Sequence, residues 1–310
     1  MATKRKVKII SILRTYGLLY LMIIPGFLYL LINNYIPMAG LVIAFKDVNF
    51  AKGLFGSEWI GFKNFEYLFA TSDALLITRN TLLYNVAFIV INTFLAVLVA
   101  LILNFLTAKL MKRFYQSVLL LPYLISIIIV SYIGNAFMNN ELGFLNNINW
   151  PVIGTMDIAW YNEAKYWPFI LIFVSAWQKV GYLCVIYLAA IIGIDTEFYE
   201  ASSIEGASRL QQIKFITIPL ISPVIIIMVL LSVGRIFYSD FGLFYHVPMN
   251  SGALYPTTNV IDTYVYRGLM QLGDIGMSSA AGLYQSIVGF ILVMLSNYTV
   301  RKLSPENALF

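Results

Sequence analysis

The chain reads as an all-α polytopic membrane protein with six transmembrane helices and both termini in the cytoplasm. Three observations predict this. Hydrophobic residues fill 60% of the 310 positions and charged residues only 11%, where a soluble domain carries about 45–50% and about 25%. Several apolar runs reach the ~18 residues that a bilayer-crossing helix needs. Lysine and arginine gather in alternate connections between those runs, as the positive-inside rule requires. The lipid bilayer is thus the first partner, and a soluble enzyme around a buried core is excluded.

Taken in order, a basic cytoplasmic segment at 1–15, with Lys4, Arg5, Lys6, Lys8 and Arg14, precedes an apolar run at 16–36. That run is too long for a signal-peptide core and lacks a convincing cleavage site, so it is an uncleaved first span. A polar connection at 33–78 leads to a second span at 81–103 and a third at 114–137. The connection at 138–166, rich in Asn and Trp, leads to a fourth span at 167–192. A fifth span at 219–238, a connection at 239–279, a sixth span at 280–300 and a cytoplasmic tail at 301–310 complete the membrane domain, 16–300.

Twelve Lys and Arg fall on the segments assigned inside and six on those assigned outside, with Lys179 and Arg235 within spans, which accounts for all twenty. Orientation in the membrane therefore explains the net charge of +5, and nothing asks for nucleic acid. Cys184 lies in an apolar run and has no second cysteine to pair with, so it packs; a single His246 makes a metal site improbable. No G-x-x-x-x-G-K-[ST] loop, H-E-x-x-H or G-x-S-x-G is present, so the chain carries no cofactor of its own and is not an enzyme.

One stretch interrupts the apolar pattern. Between the fourth and fifth spans, about 195–219, the chain reads EASSIEGASRLQQIKFITIPLISP from Glu200. Charges there cannot sit in hydrocarbon, so the segment lies at a membrane face. Ala201, Ile204, Ala207, Leu210 and Ile213 give one apolar stripe if it is helical, with Glu205 and Arg209 four apart on the polar side. Gly206 costs about 1 kcal/mol relative to alanine in a helix, which points to a bend or to close approach of another backbone.

This segment resembles the cytoplasmic EAA loop of permease subunits in binding-protein-dependent ABC importers. The pattern is E-A-A, three residues, G, nine residues, then I-x-L-P. Glu200, Ala201, Gly206, Ile216 and Pro219 match it, while Ser202 and Ile218 depart conservatively. GFKNFEYLF at 61–69, FYQSVLLLPYLIS at 114–126 and WQKVGY at 177–182 look like carbohydrate-importer permeases, of the maltose and lipo-oligosaccharide types. The resemblance implies alternating access in a bacterial plasma membrane. It also implies a second, different permease chain, two ATPase subunits that hold ATP and Mg, and an extracytoplasmic solute-binding protein. By residue, Glu200 would pair with a basic group on the ATPase, and Gly206 would allow the turn between two short coupling helices. Ala201, Ile204 and Ala207 would fill the ATPase cleft, with Glu205 and Arg209 on the polar side. Pro219 would fix the start of the fifth span.

Polar residues inside the spans are candidates for the substrate path. They are Tyr132 and Asn135 in the third span, Trp177, Gln178, Lys179 and Tyr182 in the fourth, and Arg235, Tyr238 and Asp240 at the end of the fifth. Aromatic faces beside amides and charged donors suit a saccharide, an oligosaccharide above all. Two cations favour an acidic or uronate-bearing one. Tyr123 and Tyr132 serve equally well as packing or interface residues, and Asp240 would neutralise Arg235 in a purely structural pair. A permease for a peptide or phosphate ester is the alternative, and a membrane enzyme or scaffold the alternative of another class. Against the enzyme stands the lack of paired carboxylates or a nucleophile–base pair within the spans.

Overall fold

A computed structural model describes residues 2–49, 51–150, 154–155 and 157–303. The tail at 304–310 and the side chains of the basic N-terminal residues 2–14 lie outside what is described.

The first helix, α1 (Ala2–Leu30), does not stop at Asn33 but runs through a π turn, Leu31–Tyr35, into a 3-10 stretch, Ile36–Phe45. The candidate span is Thr15–Phe45, so the first connection starts later than the polar residues suggested. The Asn33 amide donates to the carbonyl of Tyr29 at 2.9 Å, which satisfies it within the helix. Strand β1 (Lys46–Asp47) pairs antiparallel with β2 (Glu58–Trp59). Then α2 (Lys63–Ala70) carries the GFKNFEYLF motif. Its buried Asn64 donates to the carbonyls of Ala44 and Lys46 at 3.0 and 3.1 Å, closing the end of the 3-10 stretch as a C-cap would.

The second span is α3 (Asp73–Asn104). The third is not one straight helix. It divides into α4 (Lys109–Leu124) and α5 (Ile127–Met138), bent by 94°. Pro122 cannot donate a backbone bond to the preceding turn, and Ile125 and Ser126 are extended, with ψ of 131° and 139°. Strands β3 (Asn149–Trp150) and β4 (Gly154–Thr155) form a second small hairpin. The fourth span is α6 (Trp167–Ile192). Next come α7 (Thr196–Ile204) and α8 (Arg209–Val233), the latter with a π turn at Ile213–Thr217. α8 ends at Val233 rather than near Tyr238. Short helices α9 (Phe241–His246) and α10 (Ile261–Met270) precede the last span, α11 (Ile275–Leu303). Among the described residues five helices are long and apolar enough to cross a membrane, or six with the bent pair as one.

The core has two main parts. One joins Ala96, Ala100 and Leu103 of α3 to Ala176, Cys184, Tyr187, Leu188 and Ile191 of α6 and Ile221 of α8. The other joins Tyr84 and Phe88 of α3 to Trp167 and Leu171 of α6 and Leu243 and Phe244 of α9. Lipid is as apolar as leucine, so close approach rather than hydrophobicity holds such helices together. The small residues serve that approach: Ala96 and Ala100 are wholly buried. A Cβ at Gly181 of α6 would stand 1.8 Å from the Leu119 carbonyl oxygen of α4.

Candidate functional site

Two places gather the polar residues that the spans cannot hide. The first is the corner between α7 and α8. Asp195 caps α7 by accepting the Glu197 N–H at 3.0 Å. Gly206 then takes φ +84°, and nothing lies within 4 Å of where its Cβ would be. Of the two explanations for this glycine, the bend applies and close approach does not. Ser208 opens α8 with a capping box: its N–H donates to Gln211 Oε1 at 2.7 Å, and its hydroxyl accepts the Gln211 N–H at 3.4 Å. Gln212 Nε2 reaches back to the hydroxyls of Ser202 and Ser203, both at 2.9 Å, and to the Tyr199 carbonyl at 3.2 Å. Ser202, the departure from the motif, thus contributes a hydroxyl that alanine lacks.

The apolar stripe is not one helix face, because the bend divides it. Two of its side chains are largely exposed, Ile204 by 88% and Leu210 by 77%. Ala201 is exposed and Ala207 partly so, while Glu200, Glu205, Arg209 and Pro219 are exposed. Glu205 and Arg209 lie on opposite sides of the bend, and no ion pair joins them among the described residues. Arg209 instead sits 5.4 Å over the ring of Phe105. Behind the corner is a cavity of about 890 Å³, lined by Asn104 and Phe105 as well as Tyr199, Glu200, Ile204, Ala207 and Arg209.

The second place is a cavity of about 820 Å³ within the helix bundle, in the range of small-molecule sites, roughly 300–1,000 Å³. α3 lines it with Asn85, Phe88, Ile89, Asn92 and Thr93, one helical face by spacing. Tyr123 comes from α4, Lys179 and Tyr182 from α6, and Ser232, Arg235, Tyr238, Ser239 and Asp240 from the end of α8 and the break after it. So Lys179, Tyr182, Arg235, Tyr238 and Asp240 meet in one cavity, whereas Tyr132, Asn135, Trp177 and Gln178 do not line it. Tyr132 is 64% exposed on α5, and Gln178 is buried on another face of α6. Tyr123 and Tyr182 stack at 4.7 Å, with 12° between their planes. Asp240 pairs with Lys179 at 3.0 Å, not with Arg235.

The break after α8 is held from outside. Asp262 Oδ2 of α10 accepts the Ser239 N–H at 2.7 Å and Gln285 Nε2 at 3.1 Å. The same Gln285 nitrogen donates to the Phe237 carbonyl at 2.8 Å. Burial raises the Asp262 carboxyl above the ordinary carboxylate range, and these bonds lower it less. Asn92 is 5% exposed; its amide nitrogen donates to Ser175 at 3.2 Å, and its Oδ1 accepts nothing. Sequence reasoning missed Asn85 and Asn92. Two amides seven residues apart on an apolar helix were the available signal.

The profile of the family described as the inner membrane component of binding-protein-dependent transport systems matches residues 92–305, more than half of the chain. The chain belongs to this family. It is therefore a multi-pass bacterial membrane protein and a transport subunit rather than an enzyme. The polygalacturonan/rhamnogalacturonan transport system permease protein YteP of Bacillus subtilis is 35% identical over 305 residues, 98% of this chain and 94% of YteP. The protein LplB of the same organism is 33% identical, covering 93% of this chain and 90% of LplB. A crystal structure of a bacterial ABC transporter importing the acidic polysaccharide alginate superposes with a TM-score of 0.87 at 28% identity, over 96% of this chain and 99% of that one. A crystal structure of a bacterial alginate ABC transporter in complex with an alginate pentasaccharide-bound periplasmic protein gives 0.85 at 29% identity, over 94% and 96%.

Proposed function

We propose that this permease carries a carbohydrate, an oligosaccharide above all, across the membrane by alternating access driven by a separate ATPase that binds ATP and Mg. The α7–α8 corner is the coupling element, placed on the cytoplasmic side with both termini. The observation that carries this is the corner's exposed apolar surface. Ile204 and Leu210 stand free of their own chain, while the backbone behind them is tied by the Ser208 box and the Gln212 bonds. A rigid frame with unpartnered apolar side chains suits insertion into a cleft. Glu200 then faces a basic group, and the Gly206 bend sets the angle between the two helices.

The remaining partners are a second permease chain of different sequence and an extracytoplasmic binding protein that delivers the saccharide. Relatives named for polygalacturonan, alginate and arabinooligosaccharides support the carbohydrate class. The 820 Å³ cavity with its stacked tyrosines is the path. The test is to tag the chain, extract it gently and identify what co-purifies, then to measure uptake of labelled saccharides and peptides. A phosphate-loop ATPase, a second permease and saccharide uptake are expected. Gly206→Pro and Glu200→Lys should reach the membrane and lose uptake. Normal uptake by both would sink the coupling role, and peptide-only uptake the carbohydrate one.

A further inference from the structure

We infer that Arg235 is the specificity-determining residue of the bundle cavity and selects a saccharide bearing a carboxylate, a uronate. The inference rests on the carbohydrate reading and adds to it the chemistry of one subsite.

The argument comes from which polar groups facing the cavity are already satisfied. Lys179 is paired with Asp240 at 3.0 Å, so these two charges cancel. Asn85 donates to the Thr81 carbonyl at 2.9 Å within its own helix. The Tyr238 hydroxyl lies 3.4 Å from that of Ser286. Of the charged groups in the lining, the Arg235 guanidinium alone has no partner among the described residues, while Asn92 Oδ1 and Ser239 Oγ are unpartnered but buried. Asn92 lines the cavity, but its Oδ1 is sealed among the helices and meets no ligand there. Arg235 is exposed in the cavity wall and is the charge left to meet one.

Arg235 complements a different group. The guanidinium is a planar fork of donors with no acceptor, and its best partner is a carboxylate held by two parallel bonds. With Lys179 neutralised, Arg235 leaves the cavity one net positive charge. The stacked pair of Tyr123 and Tyr182, about half exposed, offers a flat apolar surface to a sugar ring. An unpaired cation and an aromatic surface in one cavity describe a uronate better than a neutral hexose, which has no use for the charge.

The experiment uses cells producing the intact importer and two labelled probes, trigalacturonate and its carboxyl-reduced neutral counterpart, which differ only at C6, a carboxylate in one and a hydroxymethyl in the other. Uptake is expressed per copy of the chain in the membrane, so a folding loss does not count. The binding protein is common to every variant, so a change in the acidic-to-neutral ratio reports the membrane cavity. Arg235→Gln should lower that ratio on the order of tenfold or more, and Arg235→Lys should recover part of it. Asn92→Asp keeps the size and the acceptor and should lower acidic uptake more than neutral uptake, by placing a second carboxylate in the cavity. An unchanged ratio in Arg235→Gln overturns the inference. Wild-type uptake of the neutral probe with exclusion of the acidic one overturns it while leaving the carbohydrate reading intact. Uptake of peptides and of neither saccharide removes both.

Discussion

Lys179 Nζ lies 3.0 Å from Asp240 Oδ2, and the other oxygen of that carboxylate caps α9 by accepting the Leu243 N–H at 3.2 Å. One side chain therefore neutralises a cation and starts a helix. Asparagine caps about as well as aspartate, so Asp240→Asn separates the two tasks. The paired side chains are 38% and 37% exposed, and such a pair contributes at most about 1 kcal/mol. Asp240→Asn should shift thermal unfolding by no more than that, while raising uptake of an acidic saccharide relative to a neutral one. Asp240→Ala loses the cap too and should be destabilised by about 1 kcal/mol further. Melting curves of both variants in detergent check this; equal stability would remove the capping role.

The bend at Gly206 makes a ranked prediction. A residue with a Cβ at its φ of +84° is strained by roughly 1–2 kcal/mol, asparagine less than most, and proline cannot adopt a positive φ at all. Uptake per copy should fall in the order Gly206→Asn, Gly206→Ala, Gly206→Pro. No steric contact contributes, since the site is open, so any other order would mean that the angle between α7 and α8 is not what matters.

Gly181 is the opposite case. A methyl group there must push back the α4 backbone at Leu119, and overpacking of this kind costs about 1–3 kcal/mol. The neighbouring Tyr123–Tyr182 stack would move with it. Gly181→Ala should lower both the melting temperature and uptake. Gly282→Ala in α11, with nothing within 4 Å, should be neutral or stabilising by up to about 1 kcal/mol. Equal melting temperatures for the two variants would show that α4 and α6 yield freely.

Asp262 predicts a pH dependence. Burial raises its carboxyl in the folded protein, so between its ordinary value of about 4 and the raised one the folded state holds a proton that the unfolded chain has lost. Stability then falls as pH rises through that window and is level on either side. Asp262→Asn removes the titration. Melting temperatures of both forms, followed from about pH 4 to about pH 7, should draw apart as the pH rises, the wild type losing more. A constant difference would count against the raised carboxyl.

The membrane class and the helical content were legible because length and polarity decide them. The ends of the helices were less so. Asn33 looked like the start of a connection, yet its amide bonds to Tyr29 within the helix. The third span reads as one run at 114–137, and nothing local gives the 94° turn that Ile125 and Ser126 make after Pro122. At the cavity, the charged residues were legible since a charge in hydrocarbon announces itself. Their pairing was not. Asp240 lies five positions from Arg235 and joins Lys179, 61 positions away, because the chain turns out of α8 at Gly234. Asn92 was passed over as one amide among apolar residues, and only its buried, unanswered oxygen sets it apart.

The break after α8 is secured by Asp262 and Gln285, 23 and 48 positions further along the chain than the backbone groups they hold. Synthesis runs in one direction, so when Arg235 and Asp240 leave the ribosome the residues that fix them do not yet exist. The earlier helices can form and pair, but the Phe237 carbonyl lacks its partner until α11 arrives with Gln285. The segment that fixes this break is thus made after the residues whose place it sets. A nascent chain stopped before Gln285 holds both cavity cations, Lys179 and Arg235, without the bond that ties the Phe237 carbonyl to α11.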